Sequence, residues 1–362
     1  MRKLTLLFVT MMTALTVSAE DGSHLWLRYD TLNRAAISGP ECLAAEELHR
    51  FYPGDKVQLT LDPTMADDAY RVSDGQVTAK TEQGLLYGAY ALLRGEKGYS
   101  APYYKLRILN HWDNLDGTIE RGYAGRSIFW DIEGNQPKAI DTALIREYAR
   151  ANASIGINGT VLNNVNASPK MLSVPYINKV KEIAAILRPY GIKVYLSVNF
   201  ASPIALGKLK TADPLNKQVQ AWWKAKAKEI YTAIPDFGGF LVKANSEGQP
   251  GPGDYKRTHA QGANMLADAV APYGGIIMWR SFVYGANHKG EDRVKQAVSE
   301  FRNDDGKFRN NVILQSKNGP LDFQPREPYA PIFDNMHKTP QMAELQITQE
   351  YLGQSRHLVY LA

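Results

Sequence analysis

A chain of 362 residues with 44% hydrophobic and 22% charged side chains has an ordinary globular composition, which excludes a disordered chain or a coiled coil. It is longer than one domain and shorter than three at ~150 residues each. Forty-two basic against thirty-seven acidic residues leave +5, too small and too scattered a charge for a nucleic-acid partner. The single cysteine, Cys42, excludes an intramolecular disulfide and a cysteine-rich zinc site.

Residues 1–19 read as a secretory signal peptide. Arg2 and Lys3 precede an uncharged apolar run from Leu4 to Val17, and Val17-Ser18-Ala19 supplies the small residues of a cleavage site. The expectation is an exported protein, periplasmic or extracellular. No other segment approaches ~20 apolar residues, so no membrane span is expected after cleavage. Sequons at Asn152, Asn158 and Asn166 matter only in a host that glycosylates them.

Residues 20–100 read as a small α+β N-terminal domain. Leu25–Tyr29 and Val57–Leu61 look like strands, with a helix from Cys42 to Phe51 between them. Tyr70-Arg71-Val72 and Val77-Thr78-Ala79 flank Ser73-Asp74-Gly75, the pattern of a hairpin. Thr81 is placed to cap a helix that runs to about Arg94 and stops at Gly95.

Across 101–362, short apolar runs alternate with amphipathic helices. Strands are expected at Lys105–Leu109, Ile157–Leu162, Ile192–Val198, Gly239–Val242, Ile276–Trp279, Val312–Gln315 and Glu344–Ile347. Helices are expected at Pro175–Tyr190, Lys217–Ile234, Arg257–Ala271 and Asp292–Phe301. Such alternation implies parallel β/α units. Without a glycine-rich nucleotide fingerprint it favours an α/β (β/α)8 TIM-type barrel over a doubly wound sheet. Seven strands are one short of closure. Either the terminal HLVYLA segment or a partner supplies the missing strand, or, as favoured here, the barrel is incomplete at its C-terminal end in a fragment of a longer protein.

Barrel enzymes carry their reactive groups where strands end. Trp112 and Asp113 follow the first expected strand; Lys243, Asn245 and Glu247 follow the fourth. Arg280 follows the fifth, Lys317, Asn318 and Asp322 the sixth, and Glu350 the seventh. Glu247 sits among glycines and prolines (Lys243 to Pro252) that forbid helix or strand. An enclosed, partly apolar seat there would raise its pKa and suit a general acid; the plainer alternative is an exposed loop acid. Asp322 suits a base, or a structural pair with Arg326. Glu350 suits a base, or the first turn of a helix, where acids favour the dipole. Two carboxyl functions across a sugar ring are what glycoside hydrolysis requires. Lys243, Arg280 and Lys317 on the same rim suit an anionic sugar, or form ion pairs with those acids. Trp112 is the stacking candidate. His259 reads as a capping or supporting residue, Trp222-Trp223 as exterior packing, and the seven histidines show no metal-ligand spacing.

The segments HWDNLDGTIERGYAGRSIFWD (111–131), KANSEGQPGPGDYKRTHAQGANMLADA (243–269), MWRSFVY (278–284), KNGPLDFQPREP (317–328) and ELQITQEYLGQSRHLVYLA (344–362) closely resemble glycoside hydrolase family 67. Its members are α-glucuronidases that remove glucuronic acid or its 4-O-methyl ether from xylo-oligosaccharides. The resemblance covers 105–362 strongly and 20–100 weakly. It implies Glu247 as general acid, Asp322 and Glu350 sharing the base function, Lys243, Arg280 and Lys317 binding the uronate, and Trp112 stacking on the sugar. It implies inversion, with acid and base carboxyls ~6.5–9.5 Å apart; no cofactor or metal is expected. It also implies a homodimer and a mainly helical C-terminal domain, which is expected to be absent from this chain. The expected partner is thus a glucuronoxylo-oligosaccharide. Two alternatives are an inactive fragment that only binds uronic-acid sugars and a hexosaminidase-like enzyme; the three cations argue against the second.

Overall fold

The structure, a computed structural model, describes residues 25–120, 125–282, 291, 293–319 and 329–345. The signal peptide, Asp322, Glu350 and the C-terminal segment lie outside the described residues.

The first sheet has five strands: β1 (Ala36–Ser38), β2 (Lys56–Leu61), β3 (Tyr70–Ser73), β4 (Gln76–Ala79) and β5 (Gly98–Ser100), in the order β1-β2-β4-β3-β5. Val57 and Leu59 alternate inward along β2 while Lys56 and Gln58 face out, the period-2 pattern of a half-buried strand. β3 and β4 form the expected antiparallel hairpin. Helices α1 (Leu43–Phe51) and α2 (Glu82–Leu93) pack on each other, and α2 also covers β3 and β4. The Thr81 hydroxyl accepts the Gly84 amide at 3.0 Å, the cap the sequence indicated.

Residues 25–29, expected as a strand, pair with no strand. Leu25 has φ +50°, and the Trp26 indole donates to Ser154 Oγ at 2.8 Å. That bond docks the segment on the helix Thr142–Ser154, and the first described strand forms later, at Ala36.

The second sheet begins with β6 (Ile108–Asn110). After a two-stranded ribbon, β7 (Ile132–Glu133) and β8 (Gln136–Pro137), it continues through β9 (Gly159–Val161), β10 (Lys193–Ser197), β11 (Gly239–Val242), β12 (Ile276–Arg280), β13 (Val312–Lys317) and β14 (Gln341–Glu344). All seven of its strands are parallel to their neighbours, in the order β14-β13-β12-β11-β10-β9-β6. The crossovers include helices α3 (Thr142–Ser154), α4 (Val174–Leu187), α5 (Ser202–Ala205), α6 (Lys217–Ala233), α7 (His259–Val270) and α8 (Arg293–Phe301). The expected α/β architecture is therefore present as a curled, open sheet of seven parallel strands. An eighth strand closing it is not among the described residues.

Two differences from the expected boundaries have physical causes. The sequence reading named no helix between the first two barrel strands, yet α3 forms there, capped by Asp141, whose carboxylate accepts the Leu144 amide at 3.0 Å. The last strand among the described residues is Gln341–Glu344, ending where the expected Glu344–Ile347 strand would begin, because Leu314 N bonds Pro340 O and β13 then templates the residues that follow. At the start of β11, Gly239 (φ +133°) lies so close to β12 that a Cβ would stand 1.9 Å from Ile276 O, so this pairing needs glycine.

The pleat separates two apolar clusters. Phe240, Val242, Ile277, Trp279, Val312 and Leu314 face the helices. Val161, Tyr195, Leu241 and Met278, with Ile108, Ile276 and Met342 against them, fill the concave side.

Candidate active site

Period-2 alternation carries the concave face upward into polar residues. Two positions beyond Leu241 is Lys243, beyond Met278 is Arg280, beyond Met342 is Glu344, and on β13 Gln315 and Lys317 share one face. The strands thus end in a ring of charge above an apolar floor. Lys243, Arg280, Lys317, Trp112 and Glu247 line one cavity of about 190 Å³, together with Glu120, Val165, Asn166 and Phe282. That is smaller than the ~300–1,000 Å³ clefts of drug-sized ligands and suits a single ring.

Trp112, Lys243, Glu247, Arg280 and Lys317, the described residues given a catalytic or binding role from the sequence, all line this cavity, whereas the strand-end candidates Asp113, Asn245 and Asn318 do not. Lys243 is buried, and its ammonium contacts the Glu247 carboxylate and donates to Asn166 Oδ1 at 2.8 Å. Burial holds the Lys243 ammonium below the usual lysine range, with Glu247 pulling the other way. The Arg280 guanidinium is 2.8 Å (Nε) and 2.7 Å (Nη2) from the two Glu344 oxygens, and Gln315 Nε2 donates to Glu344 at 2.8 Å. Burial pushes the Glu344 carboxyl up, but Arg280, Gln315 and Lys317 override it and hold it below the usual carboxylate range. The Lys317 ammonium lies 3.1 Å from the Phe282 ring centroid, a cation–π contact.

Glu247 stands in a fixed but irregular loop. Asn245 (φ +51°) and Glu247 (φ +48°) are left-handed, a conformation costing about 1–3 kcal/mol in non-glycine residues. The cross-links that hold them there run through Asn245, whose Oδ1 accepts the Gly253 amide at 2.8 Å and whose Nδ2 donates to Asp254 at 3.0 Å. Asp254 also accepts the Gly251 amide. The enclosed, partly apolar seat expected for Glu247 is not found: its side chain is 42% exposed and faces an ammonium.

Behind Trp112, Asp113 is buried and accepts the Ser127 hydroxyl; burial raises its pKa to about 6, with Ser127 opposing. His111 Nε2 meets the Tyr148 hydroxyl at 2.8 Å, and burial pushes His111 down to about 4. His259 supports rather than ligates. Trp279 Nε1 donates to its Nδ1 at 3.1 Å, so Nε2 bears the hydrogen shared with Glu300 at 2.9 Å. Trp223 is fully buried against Trp222 and Phe240, as packing.

Sequence reasoning missed Glu344, Gln315, Glu120 and Asn166. The strand-end rule could have found Glu344 had the seventh strand been placed correctly. Glu120 lies in the long loop after β6, where Asn164 Nδ2 donates to its carboxylate at 2.6 Å, and no local pattern marked it.

A family model described as the glycosyl hydrolase family 67 middle domain matches residues 91–362. The chain belongs to glycosyl hydrolase family 67. Its relatives include a probable α-glucuronidase A of Neosartorya fischeri, 50% identical over 299 residues, 79% of this chain and 35% of that protein. The corresponding protein of Aspergillus clavatus is 47% identical over 315 residues, 83% and 37% of the two chains. An α-glucuronidase of Hypocrea jecorina is 39% identical over an alignment of 427 residues that takes in 98% of this chain and 50% of the relative. This family 67 chain therefore spans between about a third and half of the length of these curated relatives. Among solved structures, a GH20 β-N-acetylhexosaminidase from Streptomyces coelicolor superposes with a TM-score of 0.48 at 12% identity, over 88% of this chain and 83% of that one, too loosely to bear on chemistry.

Proposed function

We propose that this chain carries the catalytic barrel of an exported α-glucuronidase, which hydrolyses the α-1,2 bond between (4-O-methyl)glucuronic acid and xylose with inversion. The supporting observation is the meeting of Lys243, Arg280 and Lys317 with Glu247 and Trp112 around one ring-sized cavity. Three cations on one rim suit a sugar acid.

In this reading the uronate carboxylate lies among the three cations and Trp112 packs on the ring. Glu247, at the open side of the cavity, donates a proton to the leaving xylose oxygen. Asp322 and Glu350, outside the described residues, position and deprotonate the water. Residues 20–100 form a small N-terminal domain beside the barrel. No helix among the described residues is long and apolar enough to cross a membrane.

Incubating the purified chain with aldouronic acids and following free glucuronate tests the activity. Release with inverted configuration supports it. Saturable binding of the aldouronic acid without release makes the chain a uronate-binding barrel instead.

A further inference from the structure

Outside the set named for the reaction, the strongest buried constellation at the site is Glu344 with Gln315. Arg280 ends β12 and Glu344 ends β14, and the strand between them brings Gln315 opposite Arg280 and Lys317 opposite Glu344. Arg280 presents its Nε–Nη2 edge to Glu344 in a two-toothed ion pair, and the Gln315 amide fixes one of the receiving oxygens. Both partners are almost wholly buried, with side-chain exposures of 2% and 8%. What the guanidinium has left for a ligand in the cavity is its Nη1 side.

We propose that Glu344, braced by Gln315, is a positioning residue that sets the orientation of Arg280 for a sugar carboxylate. The inference rests on the uronate reading of the cavity and goes beyond it by assigning a role to an acid that touches no substrate. An arginine side chain has large rotamer freedom, and a planar fork recognises a carboxylate only in one orientation. Fixing that orientation before the ligand arrives removes an ordering cost from binding.

Charge and orientation predict opposite outcomes, which makes the role testable. Lys243, Arg280 and Lys317 face Glu247, Glu120 and Glu344. Neutralising Glu344 leaves the site more positive, so a purely electrostatic role predicts tighter anion binding in Glu344→Gln. A positioning role predicts weaker binding despite the added positive charge.

The measurement is calorimetric titration of the full chain and its Glu344→Gln variant with D-glucuronate and with the neutral D-glucuronamide. Positioning predicts that glucuronate affinity falls roughly 10–100-fold, the range seen when a supporting partner of a ligand group is removed at metal sites. Glucuronamide binding should move much less. In an Arg280→Met background the same substitution should have no further effect. Tighter glucuronate binding, or equal losses for both ligands, overturns the proposal. If Glu344→Gln does not fold, Gln315→Met keeps the ion pair and removes only the brace; a smaller glucuronate-selective loss supports the role, and no selective loss overturns it. Failure of the parent chain to bind glucuronate removes the uronate reading and this inference with it. Binding by the parent that Glu344→Gln leaves unchanged overturns the inference alone.

Discussion

Lys243 and Glu247, four residues apart, close on each other across the cavity rather than facing solvent separately, and Asn166 holds the ammonium from the other side at 2.8 Å. A buried ammonium that loses its carboxylate partner is costly, so in the proposed reading an incoming uronate replaces Glu247 as the counter-charge and frees it to face the leaving group. Glu247→Gln keeps the shape and removes the transferable proton. Turnover of aldouronic acids should fall by about 10²–10⁴, the usual contribution of a general acid. Activity on aryl glucuronides with good leaving groups should survive in part. Equal loss on both substrates, measured as kcat/KM, would rule out the acid role.

The loop that carries Glu247 depends on Asn245 in two separable ways. Its left-handed backbone is a conformation that glycine adopts freely, whereas its amide cross-links to Gly253 and Asp254 need the side chain. Asn245→Gly keeps the first and loses the second; Asn245→Ala loses both. Both variants should fold, with kcat reduced in each and more so in the alanine variant, by about the 1–3 kcal/mol attached to an unsupported left-handed residue. Glucuronate affinity should change little, since Asn245 does not line the cavity. A larger effect on affinity than on kcat would contradict this division.

The sequence made much of this site legible because barrel chemistry follows from strand position. Once Gly239–Val242 and Ile276–Trp279 are recognised as strands, alternation alone sends Lys243 and Arg280 to the concave rim. It failed at the last strand for the same reason. The run Glu344-Leu-Gln-Ile is more strand-like than Gln341-Met-Ala-Glu344, but β13 pairs with the earlier segment, a tertiary preference that no local pattern encodes. That slip of register hid Glu344, whose importance comes from a partner 64 residues away. Glu120 escaped for a related reason: its position is set by Asn164 from another loop. The Leu25–Tyr29 strand failed because an indole-to-hydroxyl bond to α3 competes with sheet pairing.

Helix α1, beside the first sheet, is fastened to helix α3, which follows β8 and leads into β9 of the second sheet, by a buried charge cluster. Arg150 donates to both Glu47 oxygens at 2.9 and 2.8 Å and to Glu147, and lies 4.6 Å from the Phe51 ring. Arg150→Met leaves Glu47 buried beside an apolar chain and should cost about 3–5 kcal/mol in urea unfolding. Adding Glu47→Gln should recover much of that loss, because the stranded charge rather than the missing attraction dominates. A double variant no more stable than Arg150→Met would refute the assignment.

Asp113 and His111, on either side of Trp112, give the protein opposing pH responses. Asp113 holds its proton up to about 6 in the fold against 3.8 in the unfolded chain. Between those values the native state binds more protons, so its contribution to stability falls as pH rises. Two pKa units set an upper scale of about 3 kcal/mol. His111 behaves in the reverse sense. Its value is about 4 in the fold against 6.5 unfolded, so over that interval the unfolded chain takes up protons that the native state does not, and stability falls as pH drops. Its side chain is 23% exposed, so the effect is the smaller of the two. The windows overlap from about 4 to 6, and in the parent chain the slopes partly cancel. In Asp113→Asn the opposing Asp113 contribution is gone, so unfolding free energy should rise with pH from 4 to 6.5 more steeply than in the parent chain. In His111→Gln the Asp113 contribution is no longer offset by His111, so the change of unfolding free energy with pH across 4 to 6 should be less positive than in the parent chain. Denaturant unfolding at half-unit pH steps reads both, and slopes that depart from the parent's in the same direction in the two variants would show that burial does not govern these groups.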